Sequence, residues 1–290
     1  EKEGYPPLRI FGSALLGGEI SMNGGVSSQY ISALMMIAPY MQKGLRIKLT
    51  GNIVSTPYIH MTMSLMKDYG VHVNFEDNVI EIAPQTYTPI QFRVESDWSA
   101  ASYWYEMVSV SGKSKVYLEG LKNNSSQGDS KVAELFEQLG VNTQYKPEGV
   151  VLTPNNNNVD KFDFDFVDQP DLAQTFAVTC CLKNVQFHFK GVQSLKIKET
   201  DRVAALIQEL AKAGYILHEP AEGELAWKGQ RCDITAPISI ATYEDHRMAM
   251  AFAPIALLQP INIENPQVVS KSYPGFWNDI DSISKKTGSL

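Results

Sequence analysis

The sequence has few cysteines and histidines, and it has no long apolar run. Three cysteines in 290 residues, two of them adjacent at Cys180 and Cys181, provide neither a disulfide framework nor a zinc knuckle. Five scattered histidines lack the spacing of metal ligands. No stretch is long and apolar enough for a membrane helix, and the start, Glu1 to Gly4, lacks the pattern of a signal peptide. We therefore expect reduced structural thiols, no metal or other cofactor, no membrane contact and a cytoplasmic location.

Positive charge is also scarce. Lys and Arg number 25 against 32 Asp and Glu, which gives a net charge of −7 and contains no basic run. A nucleic-acid-binding surface would need such a run, so nucleic acid is excluded as a partner. Hydrophobic residues make up 44% and charged residues 20%, as in globular proteins. A chain of this length is sufficient for two domains of ordinary size.

What the sequence does contain is a long-period repeat. Four apolar helical segments open on polar residues at Ser27, Asp97, Asp171 and Asp245, which lie 70, 74 and 74 residues apart. Such a period indicates a repeated supersecondary unit: apolar helix, strand, amphipathic helix, two strands. A helix that is apolar all round must be buried. The pattern therefore predicts an α/β fold with the apolar helices inside and the sheets outside.

Two charged clusters begin helices. Lys198 to Arg202 precedes an amphipathic segment, and Tyr243 to Arg247 precedes an apolar one. A helix needs one short polar residue as its N-cap, but cations at this end oppose the helix dipole. A solvated, salt-bridged helix start is the simple explanation for one such cluster. Because there are two, we favour a site for an anionic substrate.

The polar openings of the apolar helices fit that interpretation. Free backbone N–H groups and a partial positive charge at helix N-termini attract phosphate or carboxylate groups. Plain N-capping remains an alternative for Asp97, Asp171 and Asp245. The candidate donors are the hydroxyls of Ser27, Ser28 and Ser55, the forked groups of Arg202 and Arg247, and the ammonium groups of Lys198 and Lys271. The candidate general acids and bases are Asp171, Glu199 and Asp245.

The motifs resemble those of the EPSP (5-enolpyruvylshikimate-3-phosphate) synthase family. The resemblance runs from about Tyr5 to the end, and its most specific parts are two stretches, Lys198 to Arg202 and Asp245 to Met250. It implies the enolpyruvyl transferase fold, in which each of two domains contains three βαβαββ units. By that topology, residues 1–96 are the later part of the N-terminal domain and residues 97–290 are the C-terminal domain. The other matching motifs are Ser27-Ser28-Gln29, Ser55-Thr56-Pro57-Tyr58 and Lys271-Ser272-Tyr273-Pro274.

The resemblance also implies an activity, with no cofactor and a monomeric intact enzyme. The enolpyruvyl group of phosphoenolpyruvate is transferred to the 5-hydroxyl of shikimate 3-phosphate, and phosphate is released. The implied catalytic residues are Asp171, Glu199 and Lys198. The implied shikimate 3-phosphate ligands are Ser27, Ser28, Gln29, Ser55, Tyr58, Asp171, Lys198 and Ser194, the last of which is often Asn in relatives. The implied phosphoenolpyruvate ligands are Gln29, Arg202, His246, Arg247 and Lys271.

The stretch Tyr5 to Leu8 resembles the middle of the family's sequence. The family's preceding third, with further cationic groups for both phosphates, is not in this sequence. We therefore expect this sequence alone to be inactive. Two alternatives stay open: an enolpyruvyl transferase acting on UDP-N-acetylglucosamine, and a non-catalytic ligand-binding fragment.

Overall fold

The computed structural model describes residues 5, 7–25 and 27–287, with side chains through Ser282. The chain divides into two compact units, Glu1–Phe92 and Arg93–Leu290, which we call the first and second unit. Each unit has a separate hydrophobic core. None of the described helices is long and apolar enough to cross a membrane.

The first unit contains one complete βαβαββ repeat. Strands β1 and β2 are parallel, whereas β4 pairs with β2 and with β3 in antiparallel fashion, so the sheet order is β1-β2-β4-β3. The two helices pack on each other and on this sheet around Ile31, Ile47 and Ile59. The elements are β1 Gly18–Asn23, α1 Ser28–Ile37, β2 Leu45–Thr50, α2 Thr56–Asp68, β3 Asn74–Glu76 and β4 Val79–Ile82.

Three expectations for the first unit are wrong. Residues 8–11 read as a strand, but they are exposed and no described strand pairs with them. Residues 71–73 also read as a strand, yet pairing begins only at Asn74, within β3. Helix α1 is not buried all round, since Met36 and Ile37 are exposed. Among the described residues of this unit, α1 packs against α2 and shares its core with the sheet, while part of its apolar surface stays exposed.

The second unit repeats the pattern in three sheets. Their orders are β5-β7-β6, β10-β9-β8 and β11-β12, with parallel pairing of β8 with β9 and of β11 with β12. The helices are α3 Trp98–Ser111, α4 Val132–Glu137, α5 Ala173–Leu182, α6 Arg202–Lys212, α7 His246–Phe252 and α8 Phe276–Thr287. The strands are β5 Val116–Glu119, β6 Val141–Lys146, β7 Gly149–Pro154, β8 Lys161–Asp165, β9 Gln186–Lys190, β10 Leu225–Trp227, β11 Ile238–Ile240 and β12 Ile261–Ile263.

Helices α3, α5 and α7 form the interior of the second unit, as the sequence predicts. Nearly every side chain of α5 and α7 is buried, and α5 packs between α3 and α7. The adjacent thiols Cys180 and Cys181 are buried in α5, in agreement with a structural role, whereas Cys232 is exposed. The sheets and the amphipathic helices α4 and α6 therefore surround a core of buried helices.

Two helices in the second unit are shorter than predicted. The last apolar helix reads as continuous to Leu258, but α7 ends at Phe252 and a 3-10 turn follows. Pro254 explains this ending because proline lacks the N–H that the next α-helical hydrogen bond requires. The amphipathic helix expected from Asp129 begins at Val132, after a 3-10 turn over Gly128–Lys131. Asp129 itself is thereby turned into the interior.

Candidate active site

Helix α6 begins inside the charged cluster at residues 198–202. The Asp201 carboxylate caps the helix by accepting a hydrogen bond of 3.0 Å from the Ala204 amide. Of the two predicted caps, Thr200 and Asp201, the aspartate performs this role. Arg202 is consequently the first residue of the helix, and its side chain is only 2% exposed.

The buried Arg202 guanidinium contacts three carboxylates. Nε donates to Asp245 Oδ2 at 2.6 Å, Nη1 donates to Asp171 Oδ1 at 3.1 Å, and Nη2 donates to Glu199 Oε2 at 2.7 Å. A buried arginine at a helix N-terminus is unfavourable by itself, because it faces desolvation and the helix dipole. The three carboxylates offset both effects. The fold therefore brings Arg202, Asp171, Glu199 and Asp245 together.

Asp245 serves as a structural link between α6 and α7. Its Oδ1 accepts the Arg247 amide at 2.8 Å as the N-cap of α7, while Oδ2 accepts from Arg202. The side chain is fully buried. Both oxygens are engaged by donors that are themselves fixed. Asp245 is thus a positioning residue, and N-capping, the alternative offered for it, is confirmed.

Asp171 lies between the two arginines. Its Oδ1 accepts from Arg202, and its Oδ2 accepts from Arg247 Nη2 at 2.9 Å. Burial by itself raises the pKa of Asp171, but the charges of Arg247, Lys198 and Arg202 outweigh burial and hold that pKa below its usual value. The carboxylate is therefore ionised at neutral pH and is oriented by two guanidinium groups. Its predicted neighbour Lys198 is close enough to contribute to this effect.

His246 and Glu199 lie side by side at the edge of the cluster next to Asp245. The His246 Nδ1 lies 4.0 Å from Glu199 Oε1 and 3.9 Å from Asp245 Oδ1. Burial, followed by the charge of Arg247, lowers the pKa of His246, so the imidazole is neutral at pH 7. The Glu199 side chain is 38% exposed, the most accessible of the three acids around Arg202. It is the carboxylate that an incoming ligand can displace most easily.

Asp129 is a member of this region that the sequence reasoning missed. It is buried, accepts a hydrogen bond from Ser99 Oγ, and interacts electrostatically with Asp171 and Arg247. Burial and the negative charge of Asp171 raise the pKa of Asp129 to about 6. A signal was available, since Asp129 shares the helical register of Val132 and Phe136 and so falls on the apolar face. In the sequence analysis, the pattern indicates only that a helix starts at Asp129.

The first unit places its predicted serines at two neighbouring helix N-termini. Parallel strands β1 and β2 each lead into a helix, and the Val54 amide bonds the Gly24 carbonyl at 3.2 Å between the two connecting loops. Ser27 caps α1 by accepting from the Gln29 amide at 3.3 Å. Ser28 is buried beside it. This edge of the sheet is where helix dipoles and amide groups favour an anion.

Ser55 precedes α2 in an unusual backbone conformation. Its φ of 56° lies in the left-handed region, and its side chain makes no capping hydrogen bond. Non-glycine residues in this region are strained and are concentrated at functional sites. Ser55, one of the two residues the sequence allows as the cap of α2, is its N-cap, but it acts through its carbonyl, which accepts from the Tyr58 amide at 3.0 Å, and not through its side chain.

The remaining candidates have distinct environments. Gln29 is exposed in the first turn of α1, and Tyr58 is half-buried in the first turn of α2. Ser194 is buried in the 3-10 turn that precedes Lys198. The Lys271 ammonium donates to the Glu244 carbonyl at 2.6 Å, next to Asp245. The Glu244 carbonyl and the adjacent Asp245 therefore link Lys271 to the arginine–carboxylate cluster.

The fold and these contacts define a class: an α/β protein of repeated units in which serines, carboxylates and arginines lie at helix N-termini. The family profile described as EPSP synthase (3-phosphoshikimate 1-carboxyvinyltransferase) matches residues 1–280. The chain belongs to the EPSP synthase family.

Relatives and solved structures agree with this assignment. A 3-phosphoshikimate 1-carboxyvinyltransferase of Bacteroides fragilis is 56% identical over 280 residues, which are 96% of this chain and 68% of that protein. One from Vibrio campbellii is 34% identical over 294 residues, 98% of this chain and 66% of that protein. A structure of EPSP synthase from Acinetobacter baumannii matches with a TM-score of 0.69 at 18% sequence identity, which supports the fold. The match covers 91% of this chain and 61% of that one. The chain thus spans about two thirds of the length of the curated relatives it matches.

Proposed function

We propose that the protein transfers the enolpyruvyl group of phosphoenolpyruvate to the 5-hydroxyl of shikimate 3-phosphate. Family membership supports this reaction. The observation that carries the chemistry is the cluster in which one buried arginine holds two acids, Asp171 and Glu199, of different accessibility. The reaction needs two such groups, one to accept a proton from the 5-hydroxyl and one to donate a proton to the methylene carbon.

Asp171 is the proposed proton acceptor. Its lowered pKa keeps it ionised, and its two oxygens are oriented by Arg202 and Arg247. As the 5-hydroxyl oxygen attacks C2 of phosphoenolpyruvate, its proton passes to this carboxylate, beside which the positive charge of Lys198 lies. Collapse of the resulting tetrahedral adduct returns a methyl proton to Glu199, expels phosphate and restores the double bond.

Glu199 is the proposed proton donor to the methylene group. In the ligand-free cluster, two guanidinium groups face three carboxylates, so the cluster has no excess positive charge for an anionic ligand. We propose that the carboxylate of phosphoenolpyruvate replaces Glu199 on Arg202 Nη2. Releasing Glu199 from a cation favours its protonated form. Binding of phosphoenolpyruvate would in this way prepare the acid that the next step requires.

The other ligands follow from the same family assignment. The serines Ser27, Ser28 and Ser55 would bind the 3-phosphate, while Gln29 and Tyr58 contact the shikimate ring. Ser194 and Lys198 would add contacts to shikimate 3-phosphate. His246 and Lys271 would complete the group of residues that bind phosphoenolpyruvate together with Arg202, Arg247 and Gln29.

A binding experiment separates this proposal from its sibling reaction. Calorimetry with shikimate 3-phosphate should show binding, and UDP-N-acetylglucosamine should show none. Ser28→Ala should weaken binding of shikimate 3-phosphate by about 1–3 kcal/mol, the contribution of a hydrogen bond to a charged group. Binding of the sugar nucleotide in preference to shikimate 3-phosphate would refute the proposed substrate.

A phosphate-release assay on the 290-residue chain addresses the non-catalytic alternative. Release that depends on both substrates shows an enzyme, whereas binding without release shows a ligand-binding fragment. We also propose, from the family assignment, a cytoplasmic location and a monomeric intact enzyme. Sedimentation of the natural protein tests the second of these.

A further inference from the structure

The loop between β11 and α7 contains a strained turn outside the cluster that binds Arg202. Tyr243 and Glu244 are consecutive non-glycine residues with φ of 54° and 57°. Two left-handed residues in succession persist only where their surroundings fix them. The question is what fixes this turn and what the turn positions.

Helix α6 holds the loop at two points. At the start of the helix, Arg202 bonds Asp245. Two turns later, the buried Glu209 accepts the Ala241 amide at 2.9 Å through Oε2 and the Tyr243 hydroxyl at 2.6 Å through Oε1. Glu209 is 1% exposed, so these hydrogen bonds are shielded from water. The strained turn lies between the two attachment points.

The Glu209 carboxylate is itself fixed. Lys212 Nζ lies 2.6 Å from Glu209 Oε2 and also donates to the Ser239 carbonyl of β11 at 3.0 Å. Burial and the hydrogen bond to Glu209 raise the pKa of Tyr243, so its hydroxyl is protonated and can donate at neutral pH. The helix, the strand and the loop are therefore joined by one charged hydrogen-bond network.

The turn directs one backbone carbonyl at a cation. Glu244 O accepts a hydrogen bond of 2.6 Å from Lys271 Nζ, whose residue follows α7 and β12 in the chain. Lys271 is otherwise exposed. A long, flexible lysine side chain needs such a partner to hold its charge at a defined place.

We propose that Glu209 is a positioning residue for phosphoenolpyruvate: through Tyr243 it holds the 243–244 turn, and the Glu244 carbonyl then orients Lys271. This inference rests on the proposed function, in which Lys271 binds phosphoenolpyruvate. Neither Glu209 nor Tyr243 touches the substrate. Their effect on the reaction passes entirely through the lysine.

The test is a double-mutant cycle with Lys271. In the natural full-length protein, Tyr243→Phe removes the hydroxyl that bonds Glu209 but keeps the ring, and it should raise the KM for phosphoenolpyruvate roughly tenfold with a smaller change in kcat. In a Lys271→Gln background the same substitution should change that KM by less than about twofold. The matched control is Tyr105→Phe, which removes one hydroxyl bond to Thr143 elsewhere in the unit and should leave KM unchanged. Equal effects of Tyr243→Phe in both backgrounds would overturn the proposal.

A second readout does not depend on enzymatic activity. Acetylation of Lys271 by acetic anhydride, followed by peptide mass spectrometry, reports how accessible its amine is. The rate should rise severalfold in Tyr243→Phe and in Glu209→Gln, and should stay at the wild-type value in Tyr105→Phe. An unchanged rate in Tyr243→Phe would overturn the positioning role, whether or not the proposed reaction holds. Absence of enolpyruvyl transfer by the wild type, with the acetylation rates as expected, would refute the proposed function alone.

Discussion

Arg202 is the residue on which the charged cluster depends most. It is buried and contacts three carboxylates, whereas Arg247 is more exposed. Removing one member of a buried ion cluster leaves the other charges uncompensated, which typically costs about 3–5 kcal/mol. We expect Arg202→Met to lower the free energy of unfolding in urea by that amount. Arg247→Met is the control and should cost less, so similar small losses for both variants would contradict this account.

Asp129 gives a prediction about pH. Its pKa of about 6 in the folded protein is higher than that of an exposed aspartate, so its contribution to stability is present at low pH and is lost as pH rises through 6. Asp129→Asn removes this dependence and keeps an acceptor for Ser99. The variant should therefore match the wild type only below about pH 4, the ordinary pKa of an aspartate, and be more stable near pH 7.5.

Urea unfolding at both pH values measures this difference. Asp171→Asn is an informative comparison because the pKa of Asp171 is shifted in the opposite direction. Its stabilising contribution is present at neutral pH and is lost as pH falls. If Asp129→Asn were less stable than the wild type at pH 7.5, the buried charge would be a favourable partner of the arginines instead of an unfavourable neighbour of Asp171.

The sequence predicted the members of the cluster better than their roles. The residue types and their spacing along the sequence were sufficient to identify Arg202, Arg247, Asp171 and Glu199 as candidates. They could not show that Asp245 is fully engaged as a link, because that depends on a contact between residues 43 positions apart. Asp129 was missed although its helical register with Val132 and Phe136 placed it on the apolar face, because its position in a 3-10 turn is not specified by a local pattern.

At the scale of single elements, the start of α2 has a strained backbone at Ser55, a proposed ligand of shikimate 3-phosphate. Ser55 has a left-handed φ and uses no side-chain cap. Ser55→Gly should raise the free energy of unfolding by about 1 kcal/mol, because glycine adopts this conformation without a steric cost. Ser55→Ala removes the same hydroxyl but keeps the strain, so it should not be stabilising.

Both Ser55 variants should bind shikimate 3-phosphate more weakly than the wild type. Calorimetry and thermal unfolding together measure the two effects in the same samples. A stabilised Ser55→Gly protein with wild-type affinity would show that the Ser55 hydroxyl makes no contribution to phosphate binding. That result would remove Ser55 from the proposed site.

Elements with a long hydrophobic periodicity were predicted well from the sequence. Elements whose structure depends on pairing or packing partners were predicted poorly. The buried helices α3, α5 and α7 follow directly from apolar runs in the sequence. The supposed strand at residues 8–11 has equally apolar residues but no pairing partner among the described strands. Helix α1 has a continuous apolar pattern, yet the extent of its burial depends on what packs against it and not on the helix itself.

At the scale of the whole molecule, the repeat explains why the proposed functional residues lie at equivalent helix N-termini. In each unit, helices begin with polar residues at their N-termini. These helix starts supply the serines of the first unit and the acids of the second. The period of 70 to 74 residues was visible in the sequence. The identity of the ligand was not, because helix N-termini bind many anions, and it required the family assignment.

The central claim is enolpyruvyl transfer with Glu199 as the acid that phosphoenolpyruvate releases from Arg202. The most direct measurement follows phosphate release and product NMR in the natural full-length protein and in Glu199→Gln. We predict that the wild type releases phosphate only with both substrates and forms an enolpyruvyl ether of shikimate 3-phosphate. We predict that Glu199→Gln still binds both substrates but turns over at least about a hundredfold more slowly, as loss of a general acid requires. Wild-type turnover in Glu199→Gln, or phosphate release without shikimate 3-phosphate, would contradict the account.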